Sequence, residues 1–402
     1  MNYDVIIVGG GLGGSALAKN LAERRISVLL LEREAAFKDR VRGEQMHPWG
    51  VADARALEIY NAILDGCGRQ TRWWVTYVGG QVLGRRDLQE TSPHGVGSFN
   101  FYHPAMQEIL LRLAKDAGAE VRRGLKVSSV SPGDPPMVQI DRNGHVETIH
   151  GRLVVCADGR NSAGRSWGGF VVHNDPDRLM IAGTLLDSTP VPDDSTYVAV
   201  GPEGALLMAP QSRNRARTYF IYRNADGLRR LSGDDGIPEF LSCCRSTGVP
   251  AEWLDGTRVA GPLAQFNGAD HWVNHPARDG VVLIGDAAAA SDPSWGSGLS
   301  LTLRDVRDLR DRLLNNDDWG EAARQYADEH DQRYKKFHRV EKWWTELIWS
   351  TGPAADERRF RILPRFLTDP AGLPDLLGLG PESPPADEAA WRFLGGAARP
   401  GA

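Results

Sequence analysis

At 402 residues the chain exceeds the size at which a single hydrophobic core stops growing, roughly 250 to 300 residues, and suits two closely packed domains. A hydrophobic fraction of 41%, a charged fraction of 25% and a net charge of -5 describe a folded soluble protein; they argue against a membrane-spanning or disordered chain and give no general attraction to nucleic acid. Cys67, Cys156, Cys243 and Cys244 show no CxxC spacing and no grouping with histidine, so no metal site is expected and the thiols read as structural.

The chain opens Met1-Asn2-Tyr3-Asp4, with no basic stretch ahead of an apolar run that stops at glycines, and a cytoplasmic location is expected. Asp4 to Val8 reads as a buried strand, Gly9 to Gly14 as a tight turn, Ser15 to Glu23 as a helix and Val28 to Leu31 as a second buried strand. That succession is a right-handed βαβ unit. Gly9-x-Gly11-x-x-Gly14 with Glu32 after the second strand is its dinucleotide signature. The glycines, with Leu12 and Gly13 among them, let backbone amides approach a pyrophosphate at the positive end of the helix. Glu32 can accept from ribose hydroxyls, and Arg33 lies beside the same ribose. This much leaves NAD and FAD undecided.

Farther on, Val51 to Leu64 reads as a helix, Trp73 to Leu83 as extended chain turning at Gly79-Gly80, and Pro104 to Gly118 as a helix with proline in its first turn. Val121 to Val130, Met137 to Ile140 and Leu153 to Cys156 read as strands. Between Ile181 and Arg223 the pattern alternates, as in Thr196 to Val200 and Thr218 to Tyr222, which predicts an antiparallel sheet. Gly280 to Asp286 returns as an apolar strand of the first sheet, and a helix follows Gly298. The tail beyond Pro364 is expected to wrap the surface loosely.

Two further motifs choose the cofactor. Cys156-Ala157-Asp158-Gly159-Arg160-Asn161-Ser162-Ala163-Gly164-Arg165 is a strand end followed by DGxxSxxR; Gly285-Asp286-Ala287-Ala288 is followed by Asp292-Pro293 and Gly296-Ser297-Gly298. With the glycine turn, in this order, the set resembles flavoprotein monooxygenases of the p-hydroxybenzoate hydroxylase type over roughly residues 1–315. The resemblance implies an α/β fold with a Rossmann-like FAD-binding domain, a smaller antiparallel substrate domain and C-terminal helices. The expected boundaries are 1–72, 100–180 and 272–330 for the first, 73–99 and 181–271 for the second, and 331–402 for the last.

It also implies FAD contacts at Arg42, Gln107, Asp158, Gly159 and Asp286, the last on the ribityl chain. Gly296 and Gly298 would let backbone press on the ring, and Pro293 would stiffen the loop beside it. The helix from Leu299 would aim its positive end at the anionic reduced ring. His47 is a candidate base, and Trp295, Trp49, Tyr197, Tyr219 and Tyr222 are candidate pocket aromatics. His103-Pro104 stands where many relatives open that helix with arginine. Ala289 and Ser300 depart from the family's usual GDAAH and GxGxN.

The implied activity is NAD(P)H- and dioxygen-dependent hydroxylation or epoxidation of a small aromatic or polyketide-like molecule through a flavin hydroperoxide, with the nicotinamide a transient co-substrate. A dehydrogenase, a reductase or a halogenase-related enzyme of the same fold is the alternative. The halogenase WxWxIP motif is missing, and no lysine lies between Lys38 and Lys115. The aromatic run Trp343-Trp344-Thr345-Glu346-Leu347-Ile348-Trp349 is expected to dock as a helix, to cover the cavity as a lid, or to form a homodimer seam.

Overall fold

The computed structural model describes residues 3–142, 145–176, 179–211, 214–223, 230–362 and 374–383. Its first sheet places Tyr3–Val8 between Val28–Glu32 and His145–Cys156, with Val281–Leu283 beyond the latter and Glu120–Arg123 at the opposite side, all parallel. The central strands are covered on both faces, which is why they read as unbroken Val, Ile and Leu. Val5, Ile7, Val28 and Leu30 pack under the helices Leu12–Ala22, His103–Asp116 and Gly298–Asn315, while Ile6, Val8, Leu29 and Leu31 face the antiparallel strands Val127–Ser131 and Met137–Arg142.

Register decides where function can sit. Val8 pairs with Leu31 and with Cys156, and Cys156 pairs with Leu283. The glycine turn, Glu32, the Asp158 segment and Asp286 therefore leave the sheet side by side at its carboxyl edge, where open α/β sheets bind ligands.

The second sheet has Met180–Asp187, Arg215–Tyr222, Gly204–Gln211, Ser195–Val200, Trp73–Val78 and Gln81–Asp87 as successive neighbours. It is antiparallel as expected except where Ser195–Val200 runs parallel to Trp73–Val78, two strands supplied by distant chain segments. Strand alternation splits its side chains. Ile181, Leu207, Tyr219 and Ile221 lie on one face, whereas Tyr197, Met208, Phe220 and Tyr222 pack on the other against the helix Ile237–Ser246 and Trp253.

Several boundaries differ from expectation for local reasons. The helix read over Val51 to Leu64 is two helices, Pro48–Ala56 and Tyr60–Cys67, because Glu58 turns the chain with a φ of 56°. The strand over Val121 to Val130 is broken at Gly124, whose φ is 69°. The aromatic run ends one long helix, Trp319–Trp349. Beyond it most of the tail lies outside the described residues, but 374–383 is docked and not loose: Arg86 forks onto Asp375 at 2.8 and 2.7 Å, and the Trp49 indole donates to the Leu376 carbonyl at 3.0 Å.

Candidate FAD site

The pyrophosphate end is built from backbone. The helix Leu12–Ala22 begins at Gly11 with no side-chain cap and no acidic residue in its first turn, leaving its amides free for an anion. The turn is closed tightly enough that a methyl group on Gly14 would lie 1.9 Å from the Gly9 carbonyl oxygen. Glu32 takes the Gly10 amide on one carboxylate oxygen and the Glu34 amide on the other, both at 2.7 Å. Each oxygen keeps a lone pair for a ribose hydroxyl.

A cavity of about 450 Å³ runs from this turn along the carboxyl edge. Gly9, Gly11, Leu12, Gly13, Glu32 and Arg33 line it at the glycine turn, and Arg42, Gln107, Asp158, Gly159 and Asp286 line it as well. Asp158 caps the short helix Gly164–Trp167 through the amides of Ala163 at 2.8 Å and Gly164 at 3.1 Å, while its other oxygen is buried without a protein partner. The arginine that closes DGxxSxxR has a structural task, because Arg165 donates to the carbonyls of Ala287, Asp286 and Arg160 and so locks this motif to the Gly285 segment.

Asp286 is the charged centre of the cavity. Desolvation pushes its pKa up, and the guanidiniums of Arg160, Arg42 and Arg165 oppose that shift. Arg160 was the missed residue here: it belongs to the DGxxSxxR stretch, but only the fold turns it toward Asp286. Gly285, in turn, donates its amide to Asp305 at 2.8 Å, and Asp305 is held by Arg333 at 2.6 Å.

Pro293, Gly296, Gly298 and Leu299 line the far end. Gly296 adopts a left-handed φ of 68°, and a side chain there would meet Gln45 at 2.9 Å. The helix Gly298–Asn315 starts at this wall without an acidic first turn. These residues fit FAD: an uncapped helix start for the pyrophosphate, an Asp158 oxygen with no partner among the described residues, and a carboxylate among cations beside a glycine-rich wall. Ile181, Leu207, Tyr219, Ile221 and Phe266 from the second sheet line the same cavity.

Three expectations are corrected. His47 does not line the cavity; it is fully buried, with one ring nitrogen 2.8 Å from the Trp295 carbonyl and the other 3.2 Å from the Gln45 amide nitrogen. Trp295 turns its indole toward the helix Trp319–Trp349, donating to Thr345 at 2.9 Å and packing on Trp344. Trp49, Tyr197 and Tyr222 are core, leaving Tyr219 as the pocket tyrosine. Of the aromatic helix, Trp349 packs beside the apolar sheet face that carries Tyr219.

Burial lowers the His47 pKa from 6.5 to about 4, so the native state refuses a proton that the unfolded chain accepts below pH 6.5. Stability should therefore be unaffected by His47 above pH 6.5 and fall as pH drops from 6.5 to about 4, by roughly 3 kcal/mol in all. Urea unfolding across that range checks it; His47→Gln should flatten this part of the profile.

The loop that carries Arg42 is clamped by a buried ion pair that joins it to the second sheet. Arg217, wholly buried on the second sheet, donates to Glu44 at 2.8 and 3.0 Å and to Asp39 at 2.8 Å. The His103 amide donates to Glu44 at 2.8 Å, and the Tyr219 hydroxyl donates to the Arg42 carbonyl. Glu44 and Arg217 are 173 positions apart, so no sequence spacing announces the pair.

This fold and site define an FAD-dependent oxidoreductase. The chain belongs to the FAD binding domain family, whose model matches residues 2–339. Among characterised relatives it is 27% identical to aklavinone 12-hydroxylase of Streptomyces peucetius over 344 residues, 78% of this chain and 67% of that protein. It is 25% identical to digeranylgeranylglycerophospholipid reductase 2 of Methanopyrus kandleri over 366 residues, 87% of this chain and 84% of the relative. Among solved structures, p-nitrophenol 4-monooxygenase of Pseudomonas putida superposes with a TM-score of 0.79 at 16% identity, covering 91% of this chain and 94% of that one. The flavin-dependent halogenase CmlS superposes with a TM-score of 0.76 at 18% identity, covering 98% and 77%. At those identities the superpositions speak for the fold alone.

Proposed function

We propose that the protein is an NAD(P)H-dependent monooxygenase that hydroxylates or epoxidises a flat, largely apolar aromatic or polyketide-like molecule. The observation that carries this reading is the continuity of the cavity: the cofactor groove, the apolar face of Ile181, Leu207, Tyr219, Ile221 and Phe266, and the wall of Pro293, Gly296 and Gly298 line one space. Bound FAD supplies two-electron redox chemistry and activation of dioxygen. The chain supplies the rest. Asp286 and the Arg42 loop hold the cofactor, the glycine wall admits its ring, and the sheet face excludes water and orients the substrate against that wall. One relative is an aklavinone 12-hydroxylase, which supports hydroxylation as the reaction.

No second glycine fingerprint is present, which suits a nicotinamide that visits and leaves. A reductase reading is favoured by the second relative, whose likeness spans more of both chains. A halogenase reading has no support from the second-sheet face, and the lysines that line the cavity, Lys38 and Lys126, come from other segments. Among the described residues no helix is long and apolar enough to cross a membrane. Turnover under isotopically heavy dioxygen separates the readings. Label in the product is the expected result; reduced product formed without oxygen uptake would establish the reductase.

A further inference from the structure

Behind the glycine wall lies a buried acidic cluster that neither the cofactor site nor the substrate face uses. Asp292 is 6% exposed, Asp270 6% and Glu341 1%. The Asp292 amide donates to Asp270 at 3.2 Å, the Tyr334 hydroxyl donates to the same oxygen at 2.9 Å, and the Ser294 amide donates to the Asp292 carboxylate at 2.8 Å. Glu341 follows Tyr334 and His338 along one face of the helix Trp319–Trp349, and its buried carboxylate faces Ser297 and no cation that offsets its burial.

Among the described residues, Arg160 is the guanidinium that faces Asp292. The His338 ring faces Asp270 and lies 2.9 Å from Asp175 at the half-buried end. Three carboxylates in a desolvated space without matching cations cannot all stay ionised.

We propose that Asp292 is the redox-linked proton acceptor of the flavin site: when the bound cofactor gains negative charge on the wall formed by Pro293, Gly296 and Gly298, the carboxylate behind that wall takes up one proton. The inference rests on the reading of that wall as the ring-facing end of the cavity. A hydride from the nicotinamide, two electrons and one proton, would leave bound FAD reduced and anionic, and one further proton would pass from solvent onto an Asp292 oxygen, forming an O–H bond and cancelling the carboxylate charge. The His338–Asp175 pair and Asp270 mark the route by which solvent reaches the cluster.

Two facts make Asp292 the acceptor. Its carboxyl is pushed up to about 7 by burial and then by the Asp270 charge, so it is poised to respond near neutral pH, whereas burial raises Glu341 well above the carboxylate range. Its chain position is the other: buried Asp292 immediately precedes Pro293, so new charge at the wall acts on it at short range.

The test is the midpoint potential of the FAD-loaded full chain measured against pH, whose slope counts the protons taken up with each electron pair. In the unmodified protein the slope should steepen from about one proton per electron pair below about pH 7 to about two above it. A proton landing on the cofactor itself bends the slope the other way, being lost as pH rises.

Asp292→Asn should hold the slope at about one proton throughout. Asp270→Asn, which removes the like charge that raises Asp292, should move the bend to lower pH and carries the test if the first variant does not retain FAD. An unmodified protein whose slope never steepens, or variants that share its bend, overturn the proposal. Failure of the unmodified protein to bind FAD overturns instead the reading of the site on which it rests.

Discussion

Gly14→Ala is expected to strip the protein of FAD. The added methyl group would sit 1.9 Å from the Gly9 carbonyl oxygen, far inside contact distance. Neither side can yield cheaply. The Gly9 amide is tied to the Leu31 carbonyl at 2.8 Å and the Gly10 amide to Glu32 at 2.7 Å, so relief requires opening the turn that presents the pyrophosphate amides. Because the clash is with backbone, no side-chain rotamer absorbs it. FAD affinity should fall at least about 100-fold, equivalent to roughly 2.7 kcal/mol. Titrating apoprotein with FAD and following flavin fluorescence measures it. Affinity within about threefold of the unmodified protein would remove the glycine turn from the cofactor site.

Arg217→Leu should be the most destabilising single change that leaves the cofactor groove's own side chains intact. Desolvation raises the Glu44 pKa, and Arg217 is the principal group opposing that shift. Removing the guanidinium leaves Glu44 and Asp39 facing each other in a dry interface, and breaking one side of a buried pair typically costs about 3 to 5 kcal/mol. The loss should appear as a lower urea midpoint. FAD affinity should weaken with it, because the same interaction holds the loop of Arg42. A loss below about 1 kcal/mol, the scale of a surface pair, would contradict the clamp.

These two expectations differ in how they could have been found. The turn was legible because its chemistry is local: strand, glycines, helix and acid fall within the stretch from Asp4 to Glu32, and the steric demand at Gly14 is set by a residue five positions away. Asp158, Gly159 and Asp286 were legible for a related reason. Each follows a strongly apolar strand, and parallel registration carries all such strand ends to one edge. The clamp was not legible. A glutamate in a loop and an arginine in a strand carry no pattern until the second sheet is laid against the first.

Local chemistry also misled in instructive ways. His47, beside proline and tryptophan near a glycine, looked exposed and reactive; the helix Pro48–Ala56 instead buries it beneath the Trp295 carbonyl. Trp295 sits next to the glycine wall in sequence, yet the left-handed turn at Gly296 and the helix carrying Thr345 turn its ring outward. The tyrosines of the second sheet were named together, but alternation sends Tyr219 to the cavity and Tyr222 to the opposite core. Period-two strands make neighbours of residues two apart and strangers of Tyr219 and Tyr222, three apart.

What the sequence by itself determined is the nucleotide half: its parallel strands, its carboxyl edge and its preference for FAD, since unbroken apolar runs and glycine turns enforce their geometry over short range. Only the tertiary structure decided which charges are paired, which ring faces the cavity, and that Asp292, Asp270 and Glu341 share one dry space behind the wall. Those outcomes depend on desolvation, and desolvation belongs to the packing of distant segments and not to any one of them.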